Sequence, residues 1–281
     1  MRLAGAELVE RRELVPGTWL QAWHAPAIVS GARAGQYVHV RATEAGGLPL
    51  RVPYPIATAD AATGNLTILA GRESWAAAVR TGDRVDMAGP LGRPFEVDPR
   101  SRHLLLVAEG PAIGSLRFLV DEAVRDGRSV VLLYGAASAG DVYPSSQLPD
   151  EVEYIVATAD GSLGHAGSVR DLVASYEAWA DQAFAAGSPA LLGALSSQAE
   201  GRRERLGVAT LGRKRGGGRP PAPGSTEARR KAFLQVVVGQ GVGCAAGTCL
   251  GCAVEGTGGT ALRACREGPV FAAGELAWGE A

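Results

Sequence analysis

The 281-residue sequence is short of several things, and each shortage excludes a class of function. No long apolar run is present. The longest runs, such as 104–108, fall far below the ~18 residues of a membrane helix. The first dozen residues carry arginines and early acids instead of an apolar signal core, so a cytoplasmic protein is expected. Net charge is also missing: 28 Lys and Arg stand against 29 Asp and Glu, for a formal charge of −1. That balance opposes nucleic-acid binding by the protein as a whole. The histidines, His24, His39, His103 and His165, are scattered without metal spacing, and no Ser/His/Asp order or nucleophile elbow is visible. Trp19, Trp23, Trp75 and Trp179 read as packing residues. Cysteine is scarce at 4, yet all four fall between Cys244 and Cys265. In a reducing compartment such a cluster points to metal or redox chemistry rather than to disulfides.

What is present divides the chain. Residues 1–99 read as β-rich, with short segments at 13–22, 36–41, 65–69 and 84–88. Turn signals separate them, including Pro16-Gly17, Thr63-Gly64-Asn65 and Gly89-Pro90-Leu91-Gly92, and the spacing suggests a small barrel or sandwich. A short helix fits 72–79. Residues 100–199 change pattern. The continuous apolar runs 103–108 and 129–134 suit strands buried on both faces, and the periodicity of 115–125 between them is helical. This is a β-α-β unit. A third strand is expected at 153–158 and a further short one at 189–193. Ser168 with Asp171 three positions on looks like a capping box. Residues 200–231 are rich in Gly, Pro and basic side chains and read as a solvated linker. Residues 232–281 form the cysteine-bearing region.

The cysteines are spaced Cys244-x4-Cys249-x2-Cys252-x12-Cys265. C-x4-C-x2-C with a more distant fourth cysteine is the plant-type [2Fe–2S] pattern. Two sulfide-bridged irons need four thiolates from one compact loop, with backbone N–H groups aimed at the sulfurs. The intervening Gly and Ala residues permit that close approach. Structural zinc usually pairs two Cys-x-x-Cys knuckles, and only Cys249/Cys252 supplies one here. The fourth cysteine lies nearer than in plant ferredoxins, so a shorter variant of that domain is expected.

With these residues in view, the chain resembles the electron-transfer subunits of bacterial class 1B dihydroorotate dehydrogenase, within the ferredoxin reductase-like flavoproteins. Arg33-Ala-Gly-Gln-Tyr-Val38 is similar to the family's P-G-Q-F-V. Arg51-Val-Pro-Tyr-Pro-Ile-Ala57 stands at the place of its flavin-binding R-P-I-S. Gly82-Asp-Arg-Val and Gly89-Pro-Leu-Gly92 are similar to G-D-x-[LV] and G-P-L-G. Cys265-Arg-Glu-Gly-Pro-Val-Phe is close to C-x-x-G-P-V-F, and 157–162 resembles V-A-T-D-D-G-S.

The resemblance implies a multidomain β plus α/β fold: a ferredoxin reductase-like β-barrel for FAD at 1–99, an α/β nucleotide-binding domain for NAD(P) at 100–199, and a small [2Fe–2S] domain at 232–281. It also implies a partner, the FMN-containing catalytic dihydroorotate dehydrogenase subunit. Cysteines 244, 249, 252 and 265 (Cys244, Cys249, Cys252, Cys265) would ligate the cluster. Tyr54 would stack on or edge the flavin ring, and Arg51 would neutralise its phosphate. Pro55 would hold an extended backbone that leaves the amide groups of Ile56 and Ala57 to the flavin, next to Thr58. Gly71 and Ser74, at the start of a short helix, would meet the pyrophosphate.

For the nicotinamide dinucleotide the candidates are Gly110, Gly114, Asp160 and Gly161. Here Glu109 and Pro111 depart from the family's G-G-G loop and oppose anion binding. The family's later C-G-P motif appears only as Leu192-Gly-Ala-Leu195. A second reading keeps the architecture with another partner, as the small subunit of a ferredoxin:NADP transhydrogenase, a sulfide dehydrogenase or a hydrogenase diaphorase. A third is a non-enzymatic cluster-bearing sensor or nucleic-acid-binding protein that uses the basic tract 213–219.

Overall fold

The computed structural model describes residues 1–42, 51–71, 75–205, 225–239 and 243–278. Ser74 and most of the basic tract, 206–224, lie outside the described residues.

The N-terminal unit begins with β1 (Arg2–Val15) and β2 (Thr18–His24), a hairpin turned at Pro16-Gly17. β3 (Tyr37–Ala42), β4 (Val52–Pro55), β5 (Thr58–Asp60), β6 (Asn65–Gly71) and β7 (Arg84–Leu91) complete an antiparallel sheet ordered β4-β3-β7-β1-β2-β6-β5. Its two edges, β4 and β5, are consecutive in the chain and are joined only by Ile56 and Ala57. The Ile56 N–H donates to the Gln36 carbonyl at 3.0 Å, and the Ala57 N–H to the Thr67 carbonyl at 2.8 Å. These two bonds continue the β3–β4 and β5–β6 ladders into the link, which carries the chain from one edge strand to the other. Leu8, Trp23, Val38, Val40, Ile68 and Met87 are fully buried inside, each such side chain contributing about 1.5–3 kcal/mol of apolar burial. The short helix α1 (Pro26–Val29) packs on β1, β6 and β7. The helix expected at 72–79 is a single 3-10 turn, Trp75–Ala78, in the described part.

The second sheet is built from β8 (His103–Glu109), β9 (Ser129–Ala136), β10 (Glu153–Thr158), β11 (His165–Ala166), β12 (Gln182–Ala186) and β13 (Leu234–Val237). These strands run parallel, in the order β11-β10-β9-β8-β12-β13. The hairpin β14 (Ala253–Gly256) and β15 (Thr260–Arg263) follows, and then β16 (Val270–Ala272) adds antiparallel to β13. Around the sheet lie α2 (Arg117–Arg125), α3 (Arg170–Tyr176), α4 (Pro189–Arg205) and α5 (Thr226–Lys231). A 3-10 turn, Gly110–Ser115, separates β8 from α2.

Three expectations change here. Residues 189–193 are not a strand but the first turn of α4. Pro189 suits a first helical position, and the Leu191 N–H donates to Ser188 Oγ at 3.2 Å. The missing strand is β12, whose Gln-Ala-Phe-Ala-Ala sequence is entirely buried but reads as helical by propensity. The stretch read as a linker is also shorter than expected. Residues 201–205 continue α4, and Thr226–Lys231 form α5, capped by Ser225 Oγ accepting from the Ala228 N–H at 3.1 Å. Finally, the cysteine region does not stand apart. β13 before it and β16 after it both belong to the α/β sheet. Of the expected Ser168–Asp171 box one half forms, the Ser168 N–H donating to Asp171 Oδ2 at 3.1 Å, while Ser168 Oγ accepts from the Arg170 N–H at 3.3 Å instead of from Asp171.

Buried glutamines fasten the barrel to the sheet. Gln235 accepts from the Glu96 N–H at 3.0 Å and donates to the Glu96 carbonyl at 2.6 Å. Gln182 accepts from the Asp98 N–H at 2.7 Å and donates to the carbonyls of Arg230 and Ala232. The connector 92–98 is thereby held along β12 and β13.

Candidate cluster and nucleotide sites

The cysteine loop is a wrapped turn whose amides face its own sulfurs. Ala245 and Leu250, each directly after a cysteine, take positive φ of 54° and 56°. That conformation turns the next N–H back on the cysteine. The Ala246 N–H donates to Cys244 Sγ at 3.4 Å, and the Gly251 N–H donates to Cys249 Sγ at 3.4 Å. Cys244 Sγ also accepts from the Thr248 and Cys249 amides at 3.4 and 3.5 Å. Across the loop, the Cys265 N–H donates to Cys252 Sγ at 3.5 Å.

These donors have electrostatic consequences. The Thr248 hydroxyl and the surrounding amides pull the Cys244 thiol down to about 5. Burial, then the neighbouring Cys252, push Cys265 up to about 11. Cys252 and Cys265 are buried, Cys249 is exposed and Cys244 half-buried, and all four are free of disulfides. Among the described residues no three His, Cys, Asp or Glu side chains group around one metal ion. A two-iron cluster takes its four thiolates in pairs, one pair to each iron. A loop that presents N–H groups to thiolate sulfur fits such a cluster.

The barrel lies directly beneath this loop. The Arg93 N–H donates to the Gly268 carbonyl at 2.7 Å, Arg93 Nε donates to the Arg266 carbonyl at 3.3 Å, and Arg93 bridges Pro269. Tyr37 of β3 packs in one apolar cluster with Leu91, Cys252, Cys265 and Phe271.

A second feature is a cleft of about 680 Å³ between barrel and sheet, at the carboxyl ends of β8, β9 and β10. Thr18 and Leu69 line it from the barrel, and Gly110, Tyr134, Gly135 and Ser168 from the α/β unit. Open α/β sheets bind ligands outside the carboxyl ends of their strands, where the strand order reverses. Here the reversal lies between β8 and β12. Glu109 spans it: at the end of β8, its Oε2 accepts from the Ser188 N–H, just past β12, at 3.1 Å. Asp141 adds a second carboxylate to the cleft wall.

The other sequence candidates separate into groups. Gly110 lines the cleft with φ of 49°. Gly71 pairs in register with the cleft residue Thr18. Gly114 does not line the cleft; its backbone packs against the Leu69 side chain. Asp160 turns inward on its own loop, accepting from the Ser162 hydroxyl at 2.6 Å and its N–H at 3.0 Å, which holds its carboxyl below the usual range. Gly161 is the positive-φ residue of that turn. Tyr54, Ile56 and Ala57 are buried in the barrel core, and Thr58 Oγ1 sits 2.7 Å from Thr67 Oγ1. The N–H groups of Ile56 and Ala57 are not left for a ligand, because the carbonyls of Gln36 and Thr67 take them. Nor is the Arg51 guanidinium open, since Asp86 holds it at 2.5 Å. Sequence reading missed Tyr37 and Glu109's bond to Ser188. Both depend on contacts between distant segments, and no local pattern announces them. His165 lies 3.8 Å from Asp171 as a surface pair, and His103 packs on Trp179.

Residues 240–277 match the family described as the iron-sulfur cluster binding domain of dihydroorotate dehydrogenase B. The electron transfer subunit of dihydroorotate dehydrogenase B (NAD(+)) from Geobacillus thermodenitrificans is 31% identical over 250 residues, 86% of each chain. The chain belongs to this family of electron transfer subunits. The subunit of the same name from Desulforamulus reducens is 30% identical over 276 residues and 94% of each chain. Among solved structures, the NADH-dependent reduced ferredoxin-NADP oxidoreductase superposes with a TM-score of 0.77 at 22% identity, covering 98% of this chain and 90% of that one. The ferredoxin reductase of carbazole 1,9a-dioxygenase gives 0.61 at 19% identity, over 70% of this chain and 64% of that one. These likenesses show that the electron transfer subunit has the ferredoxin reductase-like fold. No described helix is long and apolar enough to cross a membrane.

Proposed function

We propose that this chain is the oxidoreductase subunit that carries electrons between a catalytic, FMN-containing dihydroorotate dehydrogenase partner and NAD, in the cytoplasm. The single observation that carries the reading is the Cys244–Cys265 loop, with amides turned onto its sulfurs, in a chain that aligns with relatives of this family over 86% to 94% of its length. Cys244, Cys249, Cys252 and Cys265 would hold a [2Fe–2S] cluster. FAD would lie against the barrel near Tyr54, Pro55 and Thr58, reaching Gly71 and the cleft, and NAD(H) would enter the cleft at Gly110.

When bound, the cluster and flavin supply one-electron and hydride exchange, and the protein positions and tunes them. The chain's own residues do the rest. The loop amides of 246, 248, 249 and 251 stabilise negative charge on sulfur. The buried Cys252 and Cys265 exclude water from the barrel-facing side. The cleft orients a nucleotide between Thr18 of the barrel and the ends of β8 and β9. No acid–base side chain is required in this subunit, which agrees with the missing triad.

The deciding test is anaerobic purification followed by iron, sulfide and flavin analysis and by visible spectroscopy. Stoichiometric FAD, a reducible [2Fe–2S] signal and dihydroorotate-dependent NAD reduction with the partner are expected. A colourless chain ends the reading. An intact cluster and flavin without dihydroorotate activity in the complex would favour the transhydrogenase or diaphorase alternative.

A further inference from the structure

Tyr37 of the barrel shares one buried cluster with Cys252 and Cys265 of the cysteine loop. It is 4% exposed, and its hydroxyl has no hydrogen-bond partner. A buried phenol left unpaired costs about 1–3 kcal/mol, so such groups are rare and call for a missing partner. The Tyr37 ring is held on both sides. Leu91 is its partner in register across β3 and β7. Gly92 and Pro269 close on its edge so tightly that a Cβ at Gly92 would stand 2.8 Å from Tyr37 Cε1 and 2.4 Å from Pro269 Cδ. A phenol ordinarily titrates at about 10, so at neutral pH it carries its proton and offers it to an anion. In register Tyr37 faces Pro55, in the strand proposed to carry the flavin.

We infer that the Tyr37 hydroxyl is a hydrogen-bond donor to a bridging sulfide of the cluster and raises the cluster's reduction potential. The reasoning is electrostatic. Reduction adds negative charge to the sulfurs, and a donor fixed in a dry site stabilises the reduced form more than the oxidised one. The orphaned hydroxyl is then satisfied by the cluster itself. The barrel thus takes a direct part in setting the potential of a site whose ligands all lie more than 200 residues away in sequence.

This inference rests on the cluster reading above, and the experiment separates the two. Iron and sulfide analysis of the full-length wild-type chain tests the cluster; their absence overturns the reading and this inference with it. With the cluster present, Tyr37→Phe is compared with wild type by potentiometry monitored by electron paramagnetic resonance. The expected result is unchanged iron content with a reduction equilibrium weakened about tenfold, a midpoint lower by about 59 mV. An unchanged midpoint overturns the inference, because a purely packing role leaves the potential alone. If the variant cannot hold the cluster, 3-fluorotyrosine placed at position 37 provides a stronger donor of similar shape. It is expected to raise the midpoint, and no movement overturns the inference.

Discussion

Arg51 Nη2 lies 2.5 Å from Asp86 Oδ2, and Arg41 Nη2 reaches the same oxygen at 3.0 Å. Both partners of the closer pair are well covered, at 24% and 17% side-chain exposure. Arg51 Nη1 also donates to the Asp86 carbonyl at 3.1 Å. The arginine expected to meet flavin phosphate is committed to the β4–β7 side of the barrel. A double-mutant cycle of Arg51→Ala and Asp86→Ala, followed by urea unfolding, is expected to give a coupling of about 1–2 kcal/mol. Flavin content of Arg51→Ala should stay within about twofold of wild type. Additive losses together with flavin release would return Arg51 to the flavin site.

Gly92 is a close-approach position. Its φ is 79°, and any Cβ would collide with Pro269 and Tyr37 at once. Gly92→Ala combines backbone strain with a clash at the barrel–loop contact. A loss of at least about 2 kcal/mol is expected, lowering Tm by roughly 3–4 °C in a chain of this size. Differential scanning calorimetry reads the first effect, and iron content reads the loosened loop. A wild-type Tm would show that the contact is dispensable.

The two extreme thiols should differ sharply in cluster-free protein. Cys244 is held down to about 5, and Cys265 is raised to about 11. Iodoacetamide at pH 6–7, read by peptide mass spectrometry, should label Cys244 much faster than Cys265. For stability the sign is fixed. Cys244 has a folded value below its ordinary 9.0. Its contribution to the cluster-free fold is full above about pH 9, declines as the pH falls, and is gone below about pH 5. Equal labelling rates would mean that the loop amides do not face Cys244.

The cleft should prefer NADH to NADPH. Among the described residues its lining includes the carboxylates of Glu109 and Asp141 and no lysine or arginine. A 2′-phosphate brought there meets like charge without a compensating cation. Stopped-flow reduction of the bound flavin is expected to be at least about tenfold faster with NADH, and Asp141→Asn should narrow the ratio. Equal rates would place the adenosine ribose elsewhere.

Much of this was legible because it is local. The C-x4-C-x2-C loop supplies three proposed ligands within nine residues and the turn-forming side chains around them, so spacing alone carries the chemistry. The strands at 103–108 and 129–134 and the helix between them announce themselves by period. β12 did not, because a buried alanine-rich strand and a buried helix share one pattern and only neighbouring strands choose between them. The flavin segment shows the opposite failure. Its motif reads correctly as an extended backbone, but extension leaves open which partner takes its amides.

The sequence by itself therefore determined the cysteine ligand set proposed for the cluster, the β-then-α/β order of the chain and the family to which it belongs. The tertiary structure alone decided that Gln36 and Thr67 take the Ile56 and Ala57 amides, that β13 and β16 anchor the cysteine loop in the α/β sheet, and that Tyr37 shares a buried cluster with it. The physical reason is the same in each case. A hydrogen bond or close contact between distant segments is specified by the whole packed fold, and a one-dimensional pattern records only what neighbouring residues do for one another.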